Sequence, residues 1–229
     1  FGGFPELYKV ELKEQYLRDL YDKIISRDIV SRYKIKYIKS LKEISLYLFT
    51  NFGASITFQK LKNIFDIKSV HTIKNYIDYL EEAYLAFQLN SFSFKLKDQL
   101  SGKRKIYTID SGMINSISFQ SSQNFGRLME NIVFTQLKRK GLEFYFYYTQ
   151  SRQEVDFIIK DNLKIKELIQ VCFNIANLET REREINSLLH ASRYLKCDNL
   201  KIITQDTEKT EKIKGKNIVF IPLWKWLLQ

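Results

Sequence analysis

Two acidic side chains in the second half of the chain could support hydrolysis of a phosphodiester. Glu130 lies in a segment with helical spacing, and Asp156 interrupts the apolar, strand-like run 155–159. A single carboxylate within an apolar strand is costly unless it has a partner. Carboxylate oxygens suit hard divalent cations, and such a cation polarises a phosphate and lowers the pKa of the attacking water. We therefore expect Glu130 and Asp156 to hold a divalent metal ion.

The next predicted strand supplies two more candidate site residues, Gln170 and Cys172, which share one face because strand side chains alternate. Gln170 offers a neutral carbonyl oxygen, a weaker ligand than a carboxylate, and Cys172 as a thiolate would prefer soft metals. A basic side chain usually orients the water or the phosphate, and this motif contains none. The expected catalytic residues are Glu130, Asp156, Gln170 and Cys172; the expected ligands of Mg²⁺ or Mn²⁺, if the site is active, are Glu130, Asp156 and Gln170.

The elements that would position these residues form an α/β sandwich. Apolar periodicity predicts helices at 126–140 and 180–194 and strands at 143–148, 154–160, 164–173, 200–204 and 218–222. A strand-rich centre with helices on both sides is typical of an α/β core.

The first half of the chain has the element order of a winged helix-turn-helix. Helices are predicted at 12–30, with an apolar stripe of Leu12, Tyr16, Leu20 and Ile24, and at 41–51, 57–65 and 69–84, with Thr57 and Ser69 as N-caps. Strands are predicted at 86–94 and 103–110. The segment 95–105 between them carries five basic residues and one acidic residue (+4), which predicts a basic hairpin after the third helix of the module.

This order predicts two sets of DNA contacts. The exposed face of the third helix would enter the major groove, and the hairpin would meet phosphates. The helix residues are Ser69, His71, Thr72, Lys74 and Asn75, and the hairpin residues are Lys103, Arg104 and Lys105. Winged helices also serve as protein-docking units, and a lysine-rich hairpin can be a solvated loop, so a protein-interaction role is the alternative.

The composition favours an anionic partner and a reducing compartment. The net charge is +11, with 19 Lys+Arg against 13 Asp+Glu in residues 1–118 and 18 against 13 in residues 119–229. Two cysteines without zinc-ligand spacing predict reduced thiols in a cytoplasmic protein. Neither a signal peptide nor an apolar run long enough to cross a membrane is visible, so no membrane partner is expected. The chain lacks a start methionine, which predicts a piece of a longer protein, and it lacks a P-loop motif.

Six short segments together resemble the carboxy-terminal region of prokaryotic AAA+ P-loop ATPases, the archaeal type especially. They are GGFPE at 2–6, RDI at 27–29, YLEEAYL at 79–85, KIYTIDSG at 105–112, GRLMEN at 126–131 and EVDF at 154–157. The resemblance implies an ATPase module before this chain, which would bind the ATP, then a winged helix and a domain with the restriction-endonuclease fold. It also implies that Glu130, Asp156 and strand 170–172 occupy the nuclease-like site. Many members have Glu-x-Lys where this chain has Gln170-Val171-Cys172.

The expected fold class is therefore α/β (α+β overall), a winged helix-turn-helix domain followed by a restriction-endonuclease-like core. The expected boundaries are 1–35 for a helical linker, 36–118 for the winged helix and 119–229 for the core. The leading interpretation is a DNA-binding or partner-binding portion of an archaeal-type ATPase with a degenerate, inactive or weak nuclease site; an oligomer is compatible with it. The alternatives are a metal-dependent DNA endonuclease and a protein-interaction module without nucleic-acid binding.

Overall fold

The chain contains both helices and strands along its whole length, which confirms the mixed α/β class. The computed structural model describes residues 2–119, 124–148 and 153–229. The chain divides into two compact units, of which the first comprises Phe1–Gln88 and Lys103–Gln123 and the second Leu89–Gly102 and Asn124–Gln229. Residues 1–35, expected to be a linker, are thus part of the first unit.

In chain order the elements are α1 (Lys13–Lys23), α2 (Ile38–Thr50), β1 (Ser55–Ile56), α3 (Phe58–Ile64), α4 (Val70–Glu82), β2 (Ala86–Asn90), α5 (Leu96–Ser101), β3 (Arg104–Thr108), α6 (Ser111–Ile117), α7 (Phe125–Arg139), β4 (Glu143–Tyr148), β5 (Glu154–Asp161), β6 (Lys164–Cys172), α8 (Leu178–Leu195), β7 (Leu200–Thr204), β8 (Lys209–Ile213), β9 (Lys216–Pro222) and α9 (Leu223–Leu227). A 3₁₀ turn at Pro5–Tyr8 precedes α1, and a π-helical stretch at Ile24–Ser31 continues it.

Side-chain caps begin α3 and α4, as predicted. The Thr57 hydroxyl accepts a hydrogen bond from the Lys60 amide at 3.2 Å, and the Ser69 hydroxyl accepts one from the His71 amide at 3.1 Å. Each bond satisfies an amide for which the first helical turn has no main-chain acceptor. The sequence therefore fixes where these two helices start.

The buried face of α1 and its π-helical continuation differs from the prediction by one residue. Leu17, Tyr21, Ile25 and Ile29 are buried, whereas Leu12 from the predicted stripe is 73% exposed. Both sets repeat every four residues, so their spacing alone does not distinguish them. Packing of α1 against α6, a helix that was not predicted, selects the face that is buried.

The first unit contains a three-stranded sheet with the order β1-β3-β2. β1 and β3 are antiparallel, and Ser55 lies opposite Lys105. The segment between β2 and β3 is not the simple basic hairpin that was predicted, because it forms α5 and belongs to the second unit. Within that unit the Phe92 amide donates to the Phe146 carbonyl at 2.7 Å, which ties the segment to edge strand β4.

The second unit is built on a six-stranded sheet with the order β4-β5-β6-β7-β9-β8. β6, β7 and β9 are parallel to one another, and the other neighbours are antiparallel. Every predicted element of this half begins and ends within two residues of its expected bounds. Edge strand β8 was missed because its sequence, Lys-Thr-Glu-Lys-Ile, is mostly exposed and polar.

Helices cover both faces of this sheet. Leu188 from α8 belongs to a buried cluster with Ile158 of β5. Phe157 points to the opposite face because neighbouring strand residues alternate. There its ring contacts Phe144, which in turn contacts Phe134 of α7. The helix that carries Glu130 and the helix α8 therefore lie on opposite faces of β5 and β6.

Within the described ranges, every helix is too short or too polar to cross a lipid bilayer. Cys172 and Cys197 are both buried and neither forms a disulfide, as the sequence predicted.

Candidate functional site

Three carboxylates meet where α7 approaches the start of β5. Ligand oxygens of Glu130, Glu154 and Asp156 all lie within 4.8 Å of one another. Oxygens bound to one divalent cation are at most about 4 Å apart for Mg²⁺ and about 5 Å apart for Ca²⁺, so this donor set is compatible with a hard cation, and a small one such as Mg²⁺ would draw the oxygens closer together. The structure thus brings Glu130 and Asp156 together, as expected. It adds Glu154, whose position two residues before Asp156 on the same strand was the available signal.

Asp156 sits where the main-chain pairing of β5 with β6 ends. The antiparallel register runs from Asp161 opposite Lys164 to Phe157 opposite Ile169 and goes no further. Beyond that point, one carboxylate oxygen of Asp156 accepts a hydrogen bond from the Val171 amide at 2.9 Å. A side chain therefore replaces the main-chain ladder at the site, where the strands separate.

Gln170 makes the complementary bonds from β6. Its amide oxygen accepts from the Asp156 main-chain N–H at 2.6 Å, and its amide nitrogen donates to the Glu154 carbonyl at 3.0 Å. Gln170 is 1% exposed, so these bonds are shielded from water. Its oxygen, which we expected to bind metal, is directed at the β5 backbone instead. Gln170 therefore ties the part of β5 that carries Glu154 and Asp156 to β6.

An ion pair on α8, between buried Glu184 and exposed Arg183, extends this network. The Gln170 amide nitrogen also donates to Glu184, whose other carboxylate oxygen accepts from the Arg183 guanidinium at 2.6 Å. The Glu184 side chain is 11% exposed and the Arg183 side chain 66%. Hydrogen bonding to Glu184 raises the pKa of Arg183, with smaller contributions from Cys172 and Asp156. No local sequence pattern predicts this connection, because Gln170 and Glu184 are fourteen positions apart.

Cys172 packs into the apolar cluster beneath α8 instead of lining a polar cleft. It is 3% exposed and lies in the cluster with Val155 and Leu188. Burial, with a smaller contribution from the nearby Glu184 carboxylate, raises the pKa of the Cys172 thiol to about 11. The thiol is therefore neutral at physiological pH and is neither a cation nor a metal-binding thiolate.

The second group of predicted residues lies on α4 in the first unit. Ser69, His71 and Lys74 are exposed, and Thr72 and Asn75 are half-buried. The opposite side of the helix is buried through residues such as Ile73, Tyr76, Ile77 and Leu80. The structure therefore places all five predicted residues away from the core, on one accessible face.

The three predicted hairpin cations have different surroundings. Lys103 is exposed, but Lys105 is only 2% exposed because it lies in the central strand of the small sheet. The guanidinium of Arg104 packs 4.5 Å from the Phe58 ring centre, and burial lowers its pKa. The expectation that Lys105 contacts phosphate is therefore wrong, since a side chain buried in a sheet cannot reach DNA.

Three lysines near α4 were missed by the sequence interpretation. Lys60 and Lys62 lie on α3, and Lys68 lies in the turn that leads to Ser69. With Lys74 of α4 they are the lysines of segment 57–75, and we call this set (Lys60, Lys62, Lys68 and Lys74) the α3–α4 lysine surface; Lys62 is half-buried and the other three are exposed. Among the residues that the structure describes, none of the four forms an ion pair. Segment 57–75 contains these four lysines and one acidic residue, Asp66, for a net charge of +3.

The chain is thus a two-unit α/β protein with a lysine-bearing helical surface in one unit and a carboxylate cluster in the other. It belongs to the family described as "Domain of unknown function (DUF8612)", which matches residues 1–124. Residues 125–226 match a second family, described as "Domain of unknown function (DUF4143)". The boundary between the two matches falls at the start of α7.

Two curated relatives align with the whole chain. The uncharacterized protein MJ1544 of Methanocaldococcus jannaschii is 42% identical, and an uncharacterized protein of Haemophilus influenzae is 30% identical. The alignments cover 100% of this chain but only 54% and 56% of the relatives. The chain therefore spans about half the length of the curated relatives it matches.

Proposed function

We propose that this chain is the DNA-binding, carboxy-terminal portion of an archaeal-type AAA+ ATPase and that the α3–α4 lysine surface makes the DNA contact. The order α2, β1, α3, α4, β2, β3, with β3 between β1 and β2, supports a winged helix-turn-helix arrangement. In such a module the last helix before the sheet enters the major groove. Here that helix is α4, with its exposed polar face.

The lysine surface is the observation that carries this proposal. Three of its four lysines are exposed, and lysines without acidic partners are available to displace counterions from phosphates, which supplies most of the affinity of non-specific DNA binding. His71 on α4 would then reach base edges, while the four lysines meet phosphates.

A paired comparison of variants tests the proposal. The variant Lys68→Ala/Lys74→Ala removes two charges from the surface, and Lys9→Ala/Lys23→Ala removes two exposed charges from the start of the same unit. Binding to a labelled duplex without divalent metal, measured by fluorescence anisotropy, should weaken about tenfold or more for the first variant at low salt. Equal weakening in both variants would reject this surface, and absent binding in the wild type would favour a protein-docking role.

We further propose that the second unit is a restriction-endonuclease-like core that has lost most or all cleavage activity. The order α7, β4, β5, β6, α8, β7 supports that fold, and the Glu130–Glu154–Asp156 cluster supports its site. The neutral, buried Cys172 supports the loss, because strand β6 supplies no positive charge to orient a phosphate or a water molecule.

Metal-dependent cleavage is the second candidate function, because the three carboxylates fit a divalent cation. If the site is active, these residues would hold Mg²⁺ or Mn²⁺, and the ion would polarise the phosphate and activate water. Incubation of supercoiled plasmid with the chain and Mn²⁺ tests this candidate. Asp156→Ala should abolish any nicking, whereas Asp161→Ala, an exposed acid on the same strand, should not. Nicking that survives Asp156→Ala would assign it to another site or a contaminant.

An ATPase module in the remainder of the full-length protein completes the proposal. The sequence segments that resemble AAA+ proteins and the longer lengths of the relatives both support it. ATP hydrolysis by the full-length protein, measured with and without duplex DNA, is the test. If DNA stimulates ATP hydrolysis and the Lys68→Ala/Lys74→Ala change removes this stimulation, the two activities are coupled. A full-length protein that does not hydrolyse ATP would contradict an ATPase module.

A further inference from the structure

Arg183 is the cation at the outer end of a hydrogen-bond network that reaches the β5 backbone at Glu154 and Asp156. Its guanidinium donates to Glu184 through Nε at 3.2 Å and through an Nη nitrogen at 2.6 Å. Glu184 accepts from Gln170, and Gln170 accepts from the Asp156 amide at 2.6 Å. A continuous chain of hydrogen bonds therefore runs from Arg183 on α8 to the strand that carries Glu154 and Asp156.

Arg183 is held by Glu184 and is also exposed to solvent. Both of its bonds to Glu184 engage the same carboxylate oxygen, which holds the guanidinium against Glu184. Its side chain is nevertheless 66% exposed, so part of the planar donor set faces solvent. The carboxylate of Asp156 and the thiol of Cys172 both lie within electrostatic range of it. Arg183 thus stands near the position that Cys172 leaves without charge.

We propose that Arg183 binds a phosphate group of nucleic acid beside the Glu130–Glu154–Asp156 cluster and supplies the positive charge that strand β6 lacks. A guanidinium matches phosphate in shape and donates two parallel hydrogen bonds to it. A divalent cation on the three carboxylates would attract the same phosphate from the other side and lower the repulsion between DNA and the acids. This proposal rests on nucleic-acid binding by the chain but assigns a second contact in the second unit.

Metal-dependent DNA binding tests the role of Arg183. Affinity for a labelled duplex is measured with Ca²⁺, a hard cation that also binds carboxylates, and with EDTA. The wild type should bind the duplex more tightly with Ca²⁺ than with EDTA. In Arg183→Gln this ratio of affinities should be about tenfold smaller. The glutamine amide can still donate to Glu184, so the variant removes charge without abandoning the buried carboxylate. Arg193→Gln is the matched control, since it changes an exposed arginine ten residues further along α8, about 15 Å away.

Salt dependence separates a phosphate contact from a structural effect. In Ca²⁺, Arg183→Gln should make the slope of log affinity against log salt shallower by about one unit, whereas Arg183→Lys should keep the wild-type slope because the charge remains. Equal slopes in the wild type and Arg183→Gln, or equal loss in Arg193→Gln, would overturn the proposal. Thermal unfolding of each variant shows whether its fold is impaired. If Arg183→Gln is impaired, the comparison of the wild type with Arg183→Lys still tests the phosphate contact.

The two proposals fail differently. Loss of metal-free binding in Lys68→Ala/Lys74→Ala, with a Ca²⁺ gain that does not depend on Arg183, would support the lysine surface and reject Arg183. A gain in affinity with Ca²⁺ that requires Arg183, together with metal-free binding that the lysine substitutions leave unchanged, would support Arg183 and reject the lysine surface.

Discussion

Asp156 and Gln170 hold β5 and β6 together where the main-chain ladder stops. The Asp156 carboxylate accepts from the β6 backbone, and the Gln170 amide accepts from and donates to the β5 backbone. The same two side chains therefore join the strands at the position where a hydrolytic site would need side chains that can bind a metal ion. This relationship explains how the site keeps its shape although the residue at position 170 is not a carboxylate.

Gln170→Ala should destabilise the second unit by about 2–4 kcal/mol. The change removes two hydrogen bonds to β5 and leaves the buried Glu184 carboxylate without one of its donors. Both tryptophans, Trp224 and Trp226, lie in this unit, so tryptophan fluorescence during urea unfolding reports on it. The control Gln205→Ala, at an exposed position of the same unit, should change stability by less than about 0.5 kcal/mol. Similar midpoints for both variants would show that the network contributes little.

Restoring a carboxylate at position 170 should be costly unless Glu184 changes as well. Gln170→Glu would place two carboxylates at hydrogen-bonding distance in a buried site, and like charges there repel. Glu184→Gln should relieve that repulsion, so the double variant should be more stable than Gln170→Glu alone. A double-mutant cycle in urea should give a coupling energy of about 1–3 kcal/mol. Additive effects would contradict direct contact between the two side chains.

For the same reason, the pair Gln170→Glu and Cys172→Lys should not by itself restore a working site. Cys172 lies in an apolar cluster, where a lysine would lose its hydration or its charge. Adding Glu184→Gln to this pair gives the better candidate for Mn²⁺-dependent nicking. Activity in the pair without the third change would mean that the β5–β6 end rearranges more easily than the contacts imply.

Cys172 should make stability depend on pH in the alkaline range. Burial raises its pKa in the folded state from the ordinary value of 9.0 to about 11, so folding favours the neutral thiol. This contribution is complete below pH 9 and is lost as the pH rises through about 11, with a slope of up to about 1.4 kcal/mol per pH unit. Urea unfolding of Cys172→Val between these pH values should show a shallower decline than the wild type. If the free energy of unfolding falls equally with pH in both proteins, the Cys172 thiol is exposed to water in the folded state.

The local features of the chain were predictable from its sequence, since they depend on neighbouring residues. Thr57 and Ser69 cap helices through amides two or three residues away, and the alternation around Asp156 defines β5. Glu154 was within reach of the same alternation. Gly126–Asn131 was recognised as the segment that brings Glu130 to the strands.

The remaining features depend on contacts between distant residues. The burial of Lys105 follows from the central place of β3 in its sheet, which no local pattern reveals. The Gln170–Glu184–Arg183 network joins a strand to a helix through side chains alone. Alternative stripes with the same four-residue spacing made the face of α1 ambiguous until its packing partner α6 was known.

Duplex binding across a salt series, without divalent metal, tests the central claim most directly. Four phosphate contacts from Lys60, Lys62, Lys68 and Lys74 predict that log affinity falls linearly with log salt, with a slope of about −3 to −4. Replacing all four by alanine should bring the slope close to zero. Binding that is absent, or that ignores both salt and these substitutions, would contradict a DNA-binding function for the α3–α4 lysine surface.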